Sequence, residues 1–120
     1  MKKPSQFKTI TLSMRAAILA EFNYACAACG SCDAGHLEID HVQPEFWYNA
    51  RKIPVDNTAR NLQVLCRACN NAKNGICGMT RLVPREPIDS CRENSRIRES
   101  VWRPICEAAR AADPWAPLKL

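Results

Sequence analysis

Two Cys-x-x-Cys pairs, Cys26 with Cys29 and Cys66 with Cys69, constrain the fold of this 120-residue chain more than any other feature. A spacing of two residues lets a tight turn present both sulfurs to one tetrahedral ion at about 2.3 Å. Gly30 follows the first pair and permits the close backbone approach that such turns need. Four thiolates leave zinc no open position. We therefore predict one structural zinc ion, held by Cys26, Cys29, Cys66 and Cys69.

The role of the remaining cysteines depends on whether the protein works in a reducing or an oxidising compartment. Cys32 also stands at ligand spacing from Cys29, but Gly30 favours the pairing with Cys26. No apolar leader opens the sequence and no stretch is long enough to span a membrane, which predicts a cytoplasmic protein with no membrane partner. A secreted disulfide protein is the alternative. The unpaired cysteines are predicted to be small buried hydrophobic residues: Cys77, Cys91 and Cys106.

Hydrophobic periodicity and cap residues predict an α+β arrangement of short elements. In chain order we expect a helix at 14–23 capped by Ser13, a strand at 37–42 ended by Pro44, a loop at 45–60, a strand at 62–65, a helix at 67–74, and helices at 90–102 and 105–112 interrupted at Pro104. The expected divisions are a basic arm at 1–12, a core domain at 13–78, and a helical extension at 79–120 within the same compact domain.

The net charge of +5 is unevenly distributed. Residues 1–25 carry four basic side chains against one acidic, residues 26–78 five of each, and residues 79–120 eight against six. An excess of basic over acidic side chains favours a nucleic-acid partner, although many ordinary domains have such an excess. Candidate phosphate contacts are Lys2, Lys3, Lys8, Arg15, Arg92, Arg96 and Arg103, of which the last three could form a helical stripe. Arg98 falls off that stripe. Alternatively, Glu93, Glu99 and Glu107 neutralise that helix while Val101, Trp102 and Ile105 dock it on the core.

Between and after the cysteine pairs lie residues suited to phosphodiester hydrolysis. His41 can act as a base near neutral pH. Asp40 and the amide oxygen of Asn70 suit Mg²⁺, which prefers oxygen ligands. Each residue alone is ordinary. Neighbours in a strand point to opposite faces, so Asp40 and His41 can converge on one phosphate only where the strand ends or bulges.

The run Cys-x-x-Cys-Gly, Glu-Ile-Asp-His-Val-x-Pro and Asn-Leu-Gln-Val-Leu-Cys-x-x-Cys-Asn-x-x-Lys resembles the His-Asn-His (HNH) endonuclease family. The resemblance covers about residues 14–75 and implies a ββα-metal fold, with two short antiparallel strands and a helix beside the zinc site and flanking helices at both ends. It implies His41 as general base, Asp40 and Asn70 as ligands of Mg²⁺ or Mn²⁺, and Asn61 as a brace behind His41. Asn70 stands where the family usually has His. Lys73 matches a lysine that family members often carry.

Several assignments stay open from the sequence alone. Asn57 is a second candidate for the bracing role. The trio Phe46-Trp47-Tyr48 either packs over a small core or stacks against bases. Lys73 could steady the phosphate, whereas Arg67 is expected to be solvated charge and His36 a surface residue. Glu38 is either a further metal ligand or a solvated strand residue.

The functional expectation is a metal-dependent endodeoxyribonuclease that hydrolyses DNA phosphodiester bonds, double-stranded DNA being the expected substrate by resemblance. Two alternatives come from other classes: a zinc-knuckle module that binds nucleic acid without cutting it, and a degenerate nuclease fold serving as a toxin, inhibitor or assembly factor. Asp40-His41 together with Asn70 favours the enzyme. The chain is expected to be a monomer or homodimer.

Overall fold

Two short antiparallel strands and one helix form the centre of the computed structural model, which describes residues 9–112. Strand β1 (Leu37–His41) pairs with β2 (Leu62–Cys66), with Ile39 opposite Val64 and His41 opposite Leu62. Helix α3 (Arg67–Lys73) follows β2 directly and packs on both strands. This is a small α+β arrangement of the ββα-metal type.

Three further helices surround this centre: α1 (Leu12–Glu21), α2 (Glu45–Ala50) and α4 (Cys91–Ala112), with short 3-10 turns at Ala34–His36 and Ala59–Asn61. Strand β2 is buried along its whole length. The core consists of its apolar side chains, Ile18 and Phe22 from the α1 region, Trp102 from α4, and the two cysteine pairs. No helix of the described residues is long and apolar enough to cross a membrane.

Helix α1 begins earlier than predicted. Thr11, and not Ser13, is the N-cap, because its side-chain oxygen accepts a hydrogen bond from Met14 N at 3.1 Å. Ser13 lies within the helix. The helix also ends earlier, at Glu21, and the next two residues after its C-cap, Asn23 and Tyr24, adopt positive φ. The cap prediction was wrong because two hydroxyl residues two positions apart offer the same chemistry.

Helix α2 lies where a loop was predicted for residues 45–60. Pro44 precedes it with an extended backbone, and Glu45 stands in its first turn, where a carboxylate is favoured by the helix dipole. Six residues are too few to display a helical period in sequence. The sequence Phe46-Trp47-Tyr48 therefore did not indicate a helix.

Helix α4 runs unbroken through Pro104, where two helices were predicted. Proline removes one backbone N–H and crowds the preceding turn. Trp102 on one side of Pro104 and Ile105 and Cys106 on the other all pack against the core. Packing on both sides holds the helix in one piece across the proline.

Candidate metal centre and active site

The four cysteines of the two pairs form one buried cluster. Their sulfurs all lie within 4.8 Å of one another, and Cys29 Sγ is 3.7 Å from Cys66 Sγ. Four sulfurs bound at about 2.3 Å to a tetrahedral ion would lie about 3.8 Å apart. The chemistry and spacing of these donors therefore fit zinc, and the described residues contain no other cluster of three or more His, Cys, Asp or Glu that could hold a metal.

Each pair is shaped by its own turn. Cys29 N donates to Cys26 Sγ and Cys69 N donates to Cys66 Sγ, both at 3.4 Å. In the second pair, Cys66 is also the N-cap of α3. Backbone donors aimed at sulfur favour the thiolate that metal binding requires.

The four thiols lie close enough to hydrogen-bond to one another, and these bonds lower the pKa of two thiols and raise the pKa of the other two. The hydrogen bond with Cys26 lowers the pKa of Cys29 to about 6. The same partner lowers the pKa of Cys66, whereas hydrogen bonds with Cys29 and then Cys66 raise the pKa of Cys26. Hydrogen bonds to the other sulfurs, Cys26 first, raise the pKa of Cys69. Four thiolates at these distances need a cation to hold them together.

The other cysteines lie outside the cluster. Cys32 is half-buried, and because its sulfur is not part of the cluster, the first pair is Cys26 and Cys29. Cys106 is half-buried and packs against the core. The prediction that Cys77 and Cys91 are buried was wrong, because both are exposed. Cys77 stands in the turn after α3, and Cys91 is the first residue of α4, so neither reaches the core.

His41 is the last residue of β1, so the strand ends where convergence with Asp40 requires it. Its ring Nε2 lies 2.5 Å from Oδ1 of Asn57, which is buried. One residue further, Val42 N donates to the carbonyl oxygen of Asn61 at 2.8 Å. The imidazole is thus held at the strand end from the connection between β1 and β2.

Asn61 ties the two sides of that connection together. Its Oδ1 accepts from Gln43 N at 2.8 Å, and its Nδ2 donates to the carbonyl oxygens of Asp56 at 2.8 Å and Gln43 at 3.3 Å. The two candidate asparagines therefore make different contacts. Asn61 bonds the backbone behind His41, and Asn57 bonds the ring itself.

Asp56 organises the segment that carries Asn57. Its carboxylate accepts from Thr58 N at 2.9 Å, Thr58 Oγ1 at 2.6 Å and Arg60 Nε at 2.9 Å. Burial opposes ionisation, but these hydrogen bonds outweigh it and lower the pKa of Asp56. Nothing in the sequence pattern indicated this role, because Asp in a stretch such as Asp56-Asn57-Thr58 is a common turn former.

Asp40 and Lys73 form a buried ion pair between β1 and α3. Lys73 Nζ lies 2.8 Å from Asp40 Oδ2 and 2.5 Å from the carbonyl oxygen of His41, and it is only 2% exposed. Gln63 Nε2 donates to the same Oδ2 at 2.9 Å. Among the described residues no hydrogen bond reaches Asp40 Oδ1. Asp40, His41 and Lys73 are thus brought together at one end of the sheet.

Asn70 lies one turn before Lys73 on α3 and contacts Glu38. Its Nδ2 donates to Glu38 Oε1 at 2.8 Å, and Arg67 Nε lies 3.4 Å from Glu38 Oε2. Glu38 and Asp40 stand two residues apart on the face of β1 that α3 covers. Glu38 therefore has side-chain partners, and Arg67 is mostly exposed, as a solvated charge would be.

The aromatic trio forms α2, beside the His41 end of β1 in sequence. All three rings are half-buried, and none belongs to the core cluster. Trp47 and Tyr48 meet edge to face with centroids 5.0 Å apart, and the Arg51 guanidinium lies 4.1 Å from the Trp47 centroid. Trp47 and Tyr48 therefore pack on each other, Arg51 covers Trp47, and all three rings lie outside the core cluster.

The predicted phosphate contacts are spread over the molecule. Arg15 Nη2 donates to the carbonyl oxygen of Leu37 at 3.4 Å. Arg92 and Arg96 are exposed on α4, and Arg103 pairs with Glu99 on the same helix. His36 is exposed beside Asp33, as expected for a surface residue. Lys2, Lys3 and Lys8 lie outside the described residues.

Arg98, which lies off the predicted arginine stripe, is the basic residue of α4 that reaches the cysteine cluster. Its Nη2 lies 3.6 Å from Cys29 Sγ and 3.8 Å from Cys66 Sγ. The two sulfurs stand 69 and 32 residues away in sequence, so no local pattern could have indicated the contact.

Comparisons with known proteins agree with this arrangement. The family model described as HNH endonuclease matches residues 26–75. A protein of Lactococcus phage SK1 named "Probable HNH endonuclease" is 31% identical over 62 residues, which cover 52% of this chain and 66% of the phage protein. The chain thus spans slightly less than two thirds of that relative. No solved structure matches. The four-cysteine cluster fits the zinc-knuckle branch, and residues 26–75 form an HNH endonuclease domain.

Proposed function

We propose that this chain is an endonuclease that hydrolyses DNA phosphodiester bonds with a divalent metal ion, and that His41 is its general base. The observation that carries the proposal is the contact of 2.5 Å between His41 Nε2 and Asn57 Oδ1 at the end of β1. An amide oxygen only accepts, so Nε2 carries the proton in this contact. The lone pair of the neutral ring then lies on Nδ1, where it can take a proton from the attacking water.

The backbone around His41 supports the same role. Asn61 bonds Gln43 and Asp56 on both sides of the connection, and Lys73 donates to the His41 carbonyl oxygen. A general base must be held within hydrogen-bond reach of its water, and side chains locked by hydrogen bonds provide such positioning. We propose that Asn57 orients the ring and that Asn61 braces the chain behind it.

Asp40 and Asn70 are the residues that would hold the catalytic ion. Oδ1 of Asp40 accepts no hydrogen bond from the described residues, and the amide nitrogen of Asn70 is directed at Glu38, which leaves the amide oxygen as the ligand atom. Oxygen donors suit Mg²⁺ and Mn²⁺, whereas a His at the position of Asn70 would favour softer ions. Such an ion neutralises negative charge on the phosphate and the leaving oxygen.

For Lys73 the contacts favour positioning over direct contact with phosphate. Its ammonium group is buried and bonds both Asp40 Oδ2 and the His41 carbonyl oxygen. A lysine so engaged fixes the carboxylate and the strand end relative to each other. We therefore propose that Lys73 positions Asp40 and the end of β1 and does not contact the phosphate.

A plasmid cleavage assay tests the proposed function. Zinc-loaded protein should convert supercoiled DNA to the nicked form when Mg²⁺ or Mn²⁺ is added and leave it intact when the ion is omitted. Omission is preferable to a strong chelator, which would also strip the structural site. Binding without cleavage under all ions would replace the nuclease proposal with the zinc-knuckle binding module, and cleavage of RNA alone would change the substrate.

A further inference from the structure

One face of α4 is aimed at the cysteine cluster. Asn94, Arg98 and Trp102 follow at intervals of four residues and so lie on one side of the helix. Asn94 Nδ2 donates to the carbonyl oxygen of Cys29 at 2.9 Å and to that of Ile88 at 3.0 Å. Trp102 is buried in the core. Arg98, between them, therefore meets the sulfurs from a fixed helix.

The guanidinium of Arg98 spans both cysteine pairs. Nη2 is within hydrogen-bond range of Cys29 Sγ, from the first pair, and Cys66 Sγ, from the second. Its Nε is buried and has no hydrogen-bond partner among the described residues. A half-buried arginine with these few partners depends on the negative charge of the sulfurs.

The net charge of the cluster indicates that the cluster and Arg98 stabilise each other. Four thiolates around one divalent cation carry a net charge of about −2, and one guanidinium offsets half of it. When the ion is removed, nothing holds the four sulfurs together. Arg98 would then lose its two sulfur partners while staying half-buried, which is unfavourable.

We propose that Arg98 is an outer hydrogen-bond partner of a zinc–thiolate cluster, and that through it the docking of α4 and the retention of the ion stabilise each other. This inference rests on the cluster holding zinc and does not depend on catalysis. Partners that bond to metal ligands tune affinity, so their removal weakens binding by about 10–100-fold.

The test compares three variants of the full chain. Arg98→Met removes the charge at a similar side-chain length, and Arg98→Lys keeps the charge but lacks the planar guanidinium group. Arg110→Met is the control, because Arg110 is an exposed arginine on the same helix. The first measurement is the rate of zinc transfer to a chromogenic chelator. Arg98→Met should release zinc about 10–100-fold faster than the parent chain, Arg98→Lys at an intermediate rate, and Arg110→Met at the parent rate.

The second measurement is amide hydrogen exchange with zinc still bound. Arg98→Met should lose protection in α4 around residues 94–102 while β2 and α3 keep theirs. Release of zinc at the parent rate by Arg98→Met would overturn the inference. If that variant does not fold, Arg98→Lys decides, with the parent rate again overturning it. A parent chain that holds no zinc at all would overturn the zinc assignment and the inference together.

Discussion

The cysteine cluster and the His41 end of β1 are held by different means. At the cluster, four buried sulfurs converge from two local turns, and a single ion would link them. At the strand end, separate hydrogen bonds place His41: its ring bonds Asn57, its carbonyl oxygen accepts from Lys73, and Asn61 bonds the backbone of Gln43 behind it. One region would therefore depend on a single ion, whereas the other can be weakened one hydrogen bond at a time.

Removing the zinc should have the largest effect. Structural zinc contributes about 10–16 kcal/mol to small metal-bound domains, so its removal should abolish cooperative folding. Cys66→Ser should do the same, because it removes one of the four sulfurs of the cluster, while serine can still cap α3. Circular dichroism and metal analysis measure the outcome.

Cys77→Ser is the matched control for the zinc site, since Cys77 is exposed and outside the cluster. It should keep one zinc per chain and an unchanged unfolding midpoint. A Cys66→Ser protein that still folds cooperatively without metal would show that the cluster is not the staple of this domain.

Changing His41 should affect cleavage and leave the cysteine cluster unchanged. His41→Ala removes the proposed base, and the cleavage rate should fall by about 10²–10⁴-fold. Zinc content and the unfolding midpoint should stay close to those of the parent, because the cluster does not involve this side chain. The measurement is plasmid nicking with Mg²⁺ across pH.

His36 provides the control for His41, because it is exposed and pairs with Asp33. His36→Ala should cleave at the parent rate. Parent-like cleavage by His41→Ala at every pH would remove His41 from the mechanism, however well the protein folds.

The two regions also differed in how much of them could be predicted from the sequence. The cysteine pairs were predictable because their spacing is local, and β1, β2 and α3 followed from motifs of a few residues. The ion pair of Asp40 and Lys73 was not, because it joins residues 33 apart and depends on how α3 lies on the sheet. Arg98 was missed for the same reason, while α2 was too short to display a period.

Breaking the buried ion pair should lower stability by an intermediate amount. Lys73→Met leaves the Asp40 carboxylate buried without its partner, which should cost about 3–5 kcal/mol in unfolding free energy. Urea denaturation of the zinc-loaded protein measures it. Adding Asp40→Asn to Lys73→Met should recover part of that free energy, because the unpaired charge is then removed.

Arg67→Met is the control for that pair. Arg67 pairs with Glu38 on the surface of the same helix and strand, so its replacement should cost less than about 1 kcal/mol. Equal destabilisation by Lys73→Met and Arg67→Met would mean that burial of the ion pair does not matter to the His41 end.

Acid should loosen the connection that carries Asn57. The folded-state pKa of Asp56 is lowered, so its contribution to stability is present above the unfolded pKa of about 3.9 and is lost as pH falls through the lower folded value. Asp56→Asn should remove about 1–2 kcal/mol at neutral pH and flatten this acid-dependent part. Urea midpoints of protein that still holds zinc, from pH 7 down to about 4, measure it as the difference between the parent and Asp56→Asn, with exposed Asp33→Asn as control. An unchanged pH profile in Asp56→Asn would assign the acid sensitivity elsewhere.

The smallest effect concerns DNA binding by exposed arginines of α4 that contact neither the cysteine cluster nor His41. Arg92 and Arg96 are exposed on α4, whereas Arg103 already pairs with Glu99, so the three should not contribute equally. Removing one arginine that binds a phosphate should flatten the slope of log affinity against log salt by about one unit. We expect nearly that change for Arg92→Met and Arg96→Met, and less for Arg103→Met, whose guanidinium must first leave Glu99. Arg110→Met, exposed on the last turn of α4, is the control. If all four variants keep the parent slope, α4 serves the cysteine cluster through Arg98 and the duplex is held elsewhere, with Arg51 and Lys52 at the end of α2 the next positions to change.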